Sequence, residues 1–469
     1  MTFDRREVLG ALGAASASTL LWALGCGAPA PILRRAPQVS GEVRTWLHDA
    51  VARLAAAHPF AHALAVSRRR TTAARDVLGA GVARERAQGV VLTIRDRDGT
   101  WREHVTAELT RDGVDAAARA LGAARQARSL DFGRAPPTPD EPPHLDDRDL
   151  AHRVELLLQG DAALAPRLIY AAAAIDLDDA IVWSVAPGRD LEQRLVRIRQ
   201  TALRVAWNGT RPVAREIERA WTGWLDDQPL TPAELTATSE AALELVTPGS
   251  FDDGERAVVL DPGVTAAILD AAVRGRRAPD DAAAPLASSL VTVIDDPTIP
   301  GAYGGFAFDD EGEPAAPIVL VDAGRLAGHL TDRAAGAPGR GRRPGHVGHV
   351  APSPSHLRLV PGVLDARQLQ GDGFLLEGGL GATLDATGER IRVACACARE
   401  LKAGNTTGRL YPDVELVGSL TQLLSAIDAI AATPTSFAPR PTSVEPTWRS
   451  IATPAVRTRG VVRARRSRA

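Results

Sequence analysis

Cysteine is nearly missing from this chain. Three residues in 469 exclude a disulfide-dense scaffold. A dominant charge is missing too. The net charge is −2 at neutral pH, so the composition carries no long-range attraction for nucleic acid, and no nucleic-acid partner is expected. There is no internal repeat and no coiled-coil heptad pattern. Apart from residues 8–24, no apolar run could cross a bilayer. What is present is 45% hydrophobic residues, the ordinary content of a globular protein. The length calls for two or three domains rather than one core.

Arg5-Arg6 precede the apolar run 8–24, which is rich in Ala, Gly, Leu and Ser. The order of paired arginines, apolar run and small residues resembles a twin-arginine export signal. Asp4 and Gly10 depart from that pattern. The other reading is an apolar N-terminal helix of the domain itself. Ala23-Leu24-Gly25-Cys26 resembles a lipoprotein cleavage box, and a diacylated Cys26 would anchor the mature chain to a membrane. Ordinary cleavage after Ala28-Pro29-Ala30 competes with it, weakened by Pro31. Residues 1–30 are therefore set apart as a signal, and the expected location is the periplasm or cell envelope, as a lipoprotein.

Residues 41–250 read as an α/β domain. A helix is expected over 42–57, a strand over 90–94, a tight turn at Asp98-Gly99 and a returning strand over 100–105. Thr110 can cap a helix over 114–124, with Asp112 in its first turn. Residues 134–143 form a Pro-rich loop. Strands are expected over 168–175, 180–185 and 195–207. Thr231-Pro232-Ala233-Glu234 carries a capping box with Pro in the first turn and starts a helix reaching Val246. Residues 249–254 are a polar hinge. A second, β-rich domain is expected over 255–445, with strands over 257–260, 290–294, 318–322, 374–376 and 390–397, and a helix over 416–432. Residues 446–469 are expected to be a basic tail, since 456–469 hold six Arg and no acid. Its role is solvated disorder, or contact with anionic lipid beside an anchored Cys26.

Residues 258–328 carry the strongest signal: VVLDPGVTAAILDAAVRG, then LVTVIDDPTIPGAYGGFAFDDEGEPAAPIVLVDAGRLAG. This stretch resembles the TldD/PmbA metallopeptidases. The resemblance implies an α/β (α+β) protein of two domains, an N-terminal α/β domain and a C-terminal β-rich domain with a curved, mostly antiparallel sheet. It also implies a helix with His-Glu-x-x-x-His, two zinc-binding imidazoles and a general base. Here those places hold Asp270, Ala271 and Gly275. The family's third ligand is a Cys near the C-terminus, and 432–463 hold none. Alanine and glycine offer no donor, and Asp270 alone cannot hold zinc. No catalytic residue, no metal ligand and no cofactor are therefore expected. Within the family, catalytic subunits pair with relatives lacking the motif and enclose a chamber for unfolded peptide. The resemblance thus implies a non-catalytic subunit, partnered by a TldD-like catalytic subunit or by itself, with peptide as the ligand.

Other residues compete for chemistry. His346, His349 and His356, with His329 not far off, lie on a Gly/Pro-rich loop. They would be zinc ligands in an active enzyme with relocated ligands, or members of a polar surface loop, the reading a lone spacing motif favours. Arg342, Arg343 and Arg358 could fork onto the backbone or carboxylate of a threaded peptide, or be solvated. Asp309, Asp310, Glu311 and Gly312 read as a structural turn, with Gly free to take positive φ, rather than an ion site. Asp295-Asp296-Pro297 reads as a strand-ending turn. Cys395 and Cys397 fall on one face of a strand, as small buried hydrophobes unable to bridge each other. The functional expectation is a non-catalytic, peptide-binding relative of the metallopeptidases. The alternatives are an active metallopeptidase using His346 and His349, and an envelope scaffold.

Overall fold

The computed structural model describes residues 40–76, 79–122, 146–159, 167–246, 251–275, 285–335, 339–346, 348–439 and 447–465. The export signal, Cys26 and the Pro-rich loop 134–143 lie outside them.

The first unit is a six-stranded antiparallel sheet with helices on one face. Its strands are β1 (Phe60–Asp76), β2 (Gly79–Arg95), β3 (Trp101–Thr106), β4 (Tyr170–Ala186), β5 (Arg189–Trp207) and β6 (Pro212–Thr222), in the order β3-β2-β1-β4-β5-β6. Helices α1 (Ser40–Ala55) and α2 (Arg111–Leu121) set Leu47, Leu54, Val114 and Leu121 against Ala63, Leu92 and Trp183. Helices α3 (Asp147–Gln159) and α4 (Pro232–Glu244) set Leu150, Val154 and Leu235 against Ile175, Ile198 and Trp221. Local signals hold where they were read. Thr110 accepts a bond from the Gly113 amide, Thr231 and Glu234 form the capping box, and Gly99 closes the β2–β3 hairpin at φ 90°.

The strands are longer than the sequence suggests. The expected pieces 168–175 and 180–185 are one strand, β4, running through Asp176, Asp178 and Asp179. The charges between them are cross-strand partners: Asp178 lies opposite Arg70 of β1 and Arg197 of β5. Strand β1, with its Ser67-Arg68-Arg69-Arg70 run, had no sequence signal at all.

The second unit contains a closed barrel. Strands β7 (Gly254–Leu260), β14 (Gly373–Leu384), β15 (Arg390–Lys402), β16 (Asn405–Ser419) and β20 (Val456–Ala464) pair in that ring, and β20 bonds both β7 and β16. Only the β7–β14 step is parallel. Between the segments β7 and β14, the chain makes most of a second sheet. Its named strands are β8 (Val293–Asp295), β9 (Ile318–Asp322), β10 (Arg325–Leu326), β13 (His356–Leu359), β18 (Thr435–Phe437) and β19 (Ser450–Thr453). A two-stranded pair, β11 (Gly341–Arg342) and β12 (Ala351–Pro352), and the short β17 (Ala429–Ile430) against β20 complete the strands. Helix α5 (Pro262–Gly275) packs where barrel and sheet meet, its Val264, Ile268 and Ala271 sharing one core with Val393, Leu416, Leu357 and Ile451.

Two expectations are corrected here. The helix over 416–432 is strand to Ser419 and then a short helix, α6 (Leu420–Ser425). The basic tail 446–469 is not a tail: β19 and β20 lie inside it, and β20 closes the barrel. Val456, Thr458 and Val462 are buried while Arg459 is exposed and Arg457 and Arg463 are half-exposed. That alternation is a half-buried strand, so the second unit extends at least to Ala464 rather than ending at 445. Both cysteines of β15 are buried and free, as expected. Burial pushes the Cys395 thiol up and the Cys397 thiol to about 12, so neither is a thiolate.

Candidate functional site

Helix α5 starts where Asp261 accepts bonds from the amides of Val264 (2.6 Å) and Gly378 (2.7 Å). It carries Asp270 inward, 7% exposed. Both carboxylate oxygens of Asp270 are taken. Arg449 donates to Oδ1 from Nε (2.8 Å) and to Oδ2 from Nη2 (3.2 Å). Arg274, one turn along, donates to Oδ2 from Nε (3.0 Å) and Nη2 (2.7 Å). Ala271 is buried in the apolar core of the unit. The helix ends at Gly275.

The family's zinc can be tested against these groups. One carboxylate is the only ligand among Asp270, Ala271 and Gly275, and two guanidinium groups already neutralise it. Among the described residues no group of three or more His, Cys, Asp or Glu side chains is arranged to hold a metal. The residues present do not fit zinc, and no step through a metal is derived. Arg449, which sequence reading missed, supplies from the chain itself the positive charge that Asp270 faces.

The acidic turn is a structural knot. Asp309 accepts bonds from the amides of Glu311 (3.0 Å), Glu313 (2.9 Å) and Gly341 (3.0 Å). Asp310 accepts from the amide of Arg343 (2.7 Å) and from Nδ1 of His346 (2.5 Å). Glu311 accepts from the amide of Arg333 (2.8 Å). Gly312 stands at φ 78°, where a Cβ would lie 2.2 Å from the Ser184 hydroxyl. The expected turn is therefore present, and its carboxylates bind backbone N–H groups. Burial raises Asp309 to about 6 and Glu311 to about 7. Burial also opposes ionisation of Asp310, but the neighbouring His346 and Arg342 outweigh it and hold that carboxyl below its ordinary value. His346 is pushed down by burial and by Arg197 and Arg342, which makes it a neutral imidazole donating from Nδ1.

The loop carrying the remaining candidates is buried rather than solvated. Arg342 is 2% exposed, lies 3.7 Å from Asp310 and donates to the Trp448 carbonyl (3.3 Å). Arg343 is equally buried, ion-paired with Glu103 of β3 and bonded to the Gly348 carbonyl (2.9 Å). Neither faces a cleft, so the expectation that they bind peptide is corrected: burial forced each to find an internal acceptor. Arg358 is half-exposed and 3.7 Å from Asp296. His346 stacks on Trp448 at 4.8 Å. His356 bonds the Ser450 hydroxyl (2.8 Å), with burial lowering it to about 4. His349 and His329 are exposed. The structure does not gather His346, His349 and His356 into one site among the described residues. Asp295 ends β8 as expected, but as a hub: it pairs with Arg340 and accepts from the amides of Ser355 (2.8 Å) and His356 (2.9 Å).

The arrangement defines a class first: a two-unit α+β protein with a guanidinium–carboxylate cluster on helix α5 of its second unit. Residues 254–464 match the PmbA/TldA metallopeptidase C-terminal domain. A metalloprotease of Methanocaldococcus jannaschii is 30% identical over 152 residues, covering 30% of this chain and 33% of that protein. The chain thus spans about a third of the length of this curated relative. Among solved structures, a putative modulator of DNA gyrase from Bacteroides thetaiotaomicron superposes with a TM-score of 0.68 at 15% identity, covering 92% of this chain and 100% of that one. TldE from Thermococcus kodakarensis gives 0.67 at 15% identity, covering 87% and 98%. The C-terminal part of the chain is thus similar to the PmbA/TldA metallopeptidase C-terminal domain, and the fold is shared with these solved structures over most of its length.

Proposed function

We infer that this chain is a non-catalytic member of the TldD/PmbA family, a subunit that completes a peptide-handling chamber with a metal-bearing relative or with a second copy of itself. One observation carries the reading. Arg449 and Arg274 occupy both oxygens of Asp270, the residue that the resemblance sets at the first motif position. A cation brought there would have to displace two bound guanidinium groups, with no imidazole waiting to hold it. Ala271 beside it has nothing with which to take a proton from water. The metalloprotease activity of the archaeal relative is its own. For this chain the subunit's contribution is surface and enclosure, with half-exposed Arg358 the one remaining candidate for a peptide carboxylate.

The N-terminal pattern supports export by the twin-arginine route and anchoring through Cys26, which would place the chamber in the cell envelope. Among the described residues no helix is long and apolar enough to cross a membrane.

The test is metal content together with capture. The purified chain should hold zinc well below one per molecule, fail alone to cleave an unfolded casein substrate, and co-purify with a relative bearing the complete motif when both are expressed. One tightly bound zinc lost on Asp270→Ala or His346→Ala, with cleavage by the chain alone, would replace this reading with that of an active enzyme. Capture of no such relative, and no self-association, would leave a standalone scaffold instead.

A further inference from the structure

Trp448 and Arg449 are neighbours on the segment that enters β19, yet different parts of the molecule hold them. Successive side chains of an extended segment point to opposite sides. Arg449 and Ile451 meet helix α5. Arg449 binds both oxygens of Asp270, and Ile451 shares a core with Ile268 and Ala271.

Trp448 meets the first unit. It is 3% exposed and clusters with Tyr303 and with Ala220 of β6. The guanidinium carbons of Arg197 on β5 and Arg68 on β1 lie 4.3 and 5.5 Å from its ring centre. Arg197 is 1% exposed, and its three guanidinium nitrogens make no hydrogen bond among the described residues. What faces its charge is the Trp448 ring and, through space, the Asp178 carboxylate. A cation gains most from a ring face where water is excluded.

The backbone between these two anchorages has little slack. The Ser450 amide donates to the Ser355 carbonyl (2.9 Å), and the Gly304 amide donates to the Ser450 hydroxyl (3.1 Å). Gly304 lies so close that a Cβ there would stand 1.8 Å from the Ser355 carbonyl oxygen and 2.8 Å from Arg449 Cα. Adjacent Cα atoms keep a fixed spacing of about 3.8 Å, so a displaced Trp448 carries Arg449 with it.

We propose that Trp448 and Arg449 form a strap coupling the first unit to helix α5: the first sheet, docked on Trp448, holds Arg449 against Asp270, and loosening either end loosens the other. The coupling is independent of any role with peptide.

The experiment is amide hydrogen exchange of the full chain followed by mass spectrometry. Strand β15 shares the core of α5 and serves as the reference within the second unit. Trp448→Leu should speed exchange over α5 by about tenfold relative to β15. Trp183→Phe, a change in the first unit's core against α1 and α2, should leave that ratio unmoved. In the reverse direction, Arg449→Met should speed exchange over β5 relative to β2 of the same sheet. Should Trp448→Leu not fold, Trp448→Phe keeps a smaller ring beneath the arginines and should speed α5 by about threefold. A ratio unmoved in either direction would mean that Arg449 keeps its place without the first unit, and would overturn the proposal. An equal effect of Trp183→Phe on α5 would trace the change to general loosening of the first unit, and would overturn it as well.

Discussion

At the scale of single residues, the Asp270 cluster shows how a buried carboxylate is satisfied by its surroundings. A buried carboxylate without a partner is costly, and here Arg449 arrives from the segment before β19 to neutralise it. Removing one member of a buried pair strands the other. Arg449→Met is therefore expected to lower stability by about 3 kcal/mol, near the low end of the usual range because Arg274 still binds Oδ2. Adding Asp270→Asn to that variant should recover most of the loss, since an uncharged amide costs less to bury than a stranded charge. Urea unfolding of the two single variants and the double variant measures this. Simple additivity of the single effects would show that the two side chains do not depend on each other. Sequence alone placed Asp270 on a helix but could not show Arg449, because the two are 179 positions apart and no local pattern links them.

At the scale of elements, what was legible was local. The Thr231 capping box, the Thr110 cap and the Asp98-Gly99 hairpin each depend on residues within four positions, and each is present. What was illegible depended on pairing. Taken separately, the Arg68–Arg70 run and the Asp176–Asp179 run carry no strand signal. Side by side on β1 and β4 they match one another, and each makes the other a strand. Strand β20 was misread for the same reason: its arginines were counted and the alternation beneath them was not. Its placement is testable. Thr458 is 2% exposed, and its hydroxyl donates to the Leu423 carbonyl (2.7 Å). Thr458→Pro removes an N–H from a strand paired on both sides and should cost about 3 kcal/mol or more in urea unfolding. In a solvated tail the same change would fall within about 0.5 kcal/mol of zero.

At the scale of the whole molecule, the acidic turn pins the two units together, and its titration should appear in the stability of the entire chain. Arg189 of β5 donates to the Gly312 carbonyl (2.6 Å), Gln193 of β5 bonds the amide of Ala307 (2.8 Å) and the carbonyl of Phe308 (2.9 Å), and Arg333 lies 4.6 Å from the ring of Phe60. Within this knot burial holds Glu311 at about 7, against an ordinary value of 4.5. Between those values the folded chain keeps a proton that the unfolded chain has released. Stability therefore falls as pH rises through the window and levels off above about 7. Asp309, raised to about 6, adds a fall of the same sign over a lower range. Asp310, held down by its hydrogen bond from His346 and by the Arg342 guanidinium, works oppositely: its contribution is full above the ordinary value and is lost only as the solution becomes strongly acidic. Glu311→Gln can still accept the Arg333 amide through its carbonyl oxygen but no longer titrates. The unaltered chain should lose on the order of 2 kcal/mol more than this variant between pH 5 and pH 8. Urea midpoints at the two pH values compare them, and parallel losses in both chains would mean that Glu311 is ionised throughout and that burial at the junction of the units does not hold its proton.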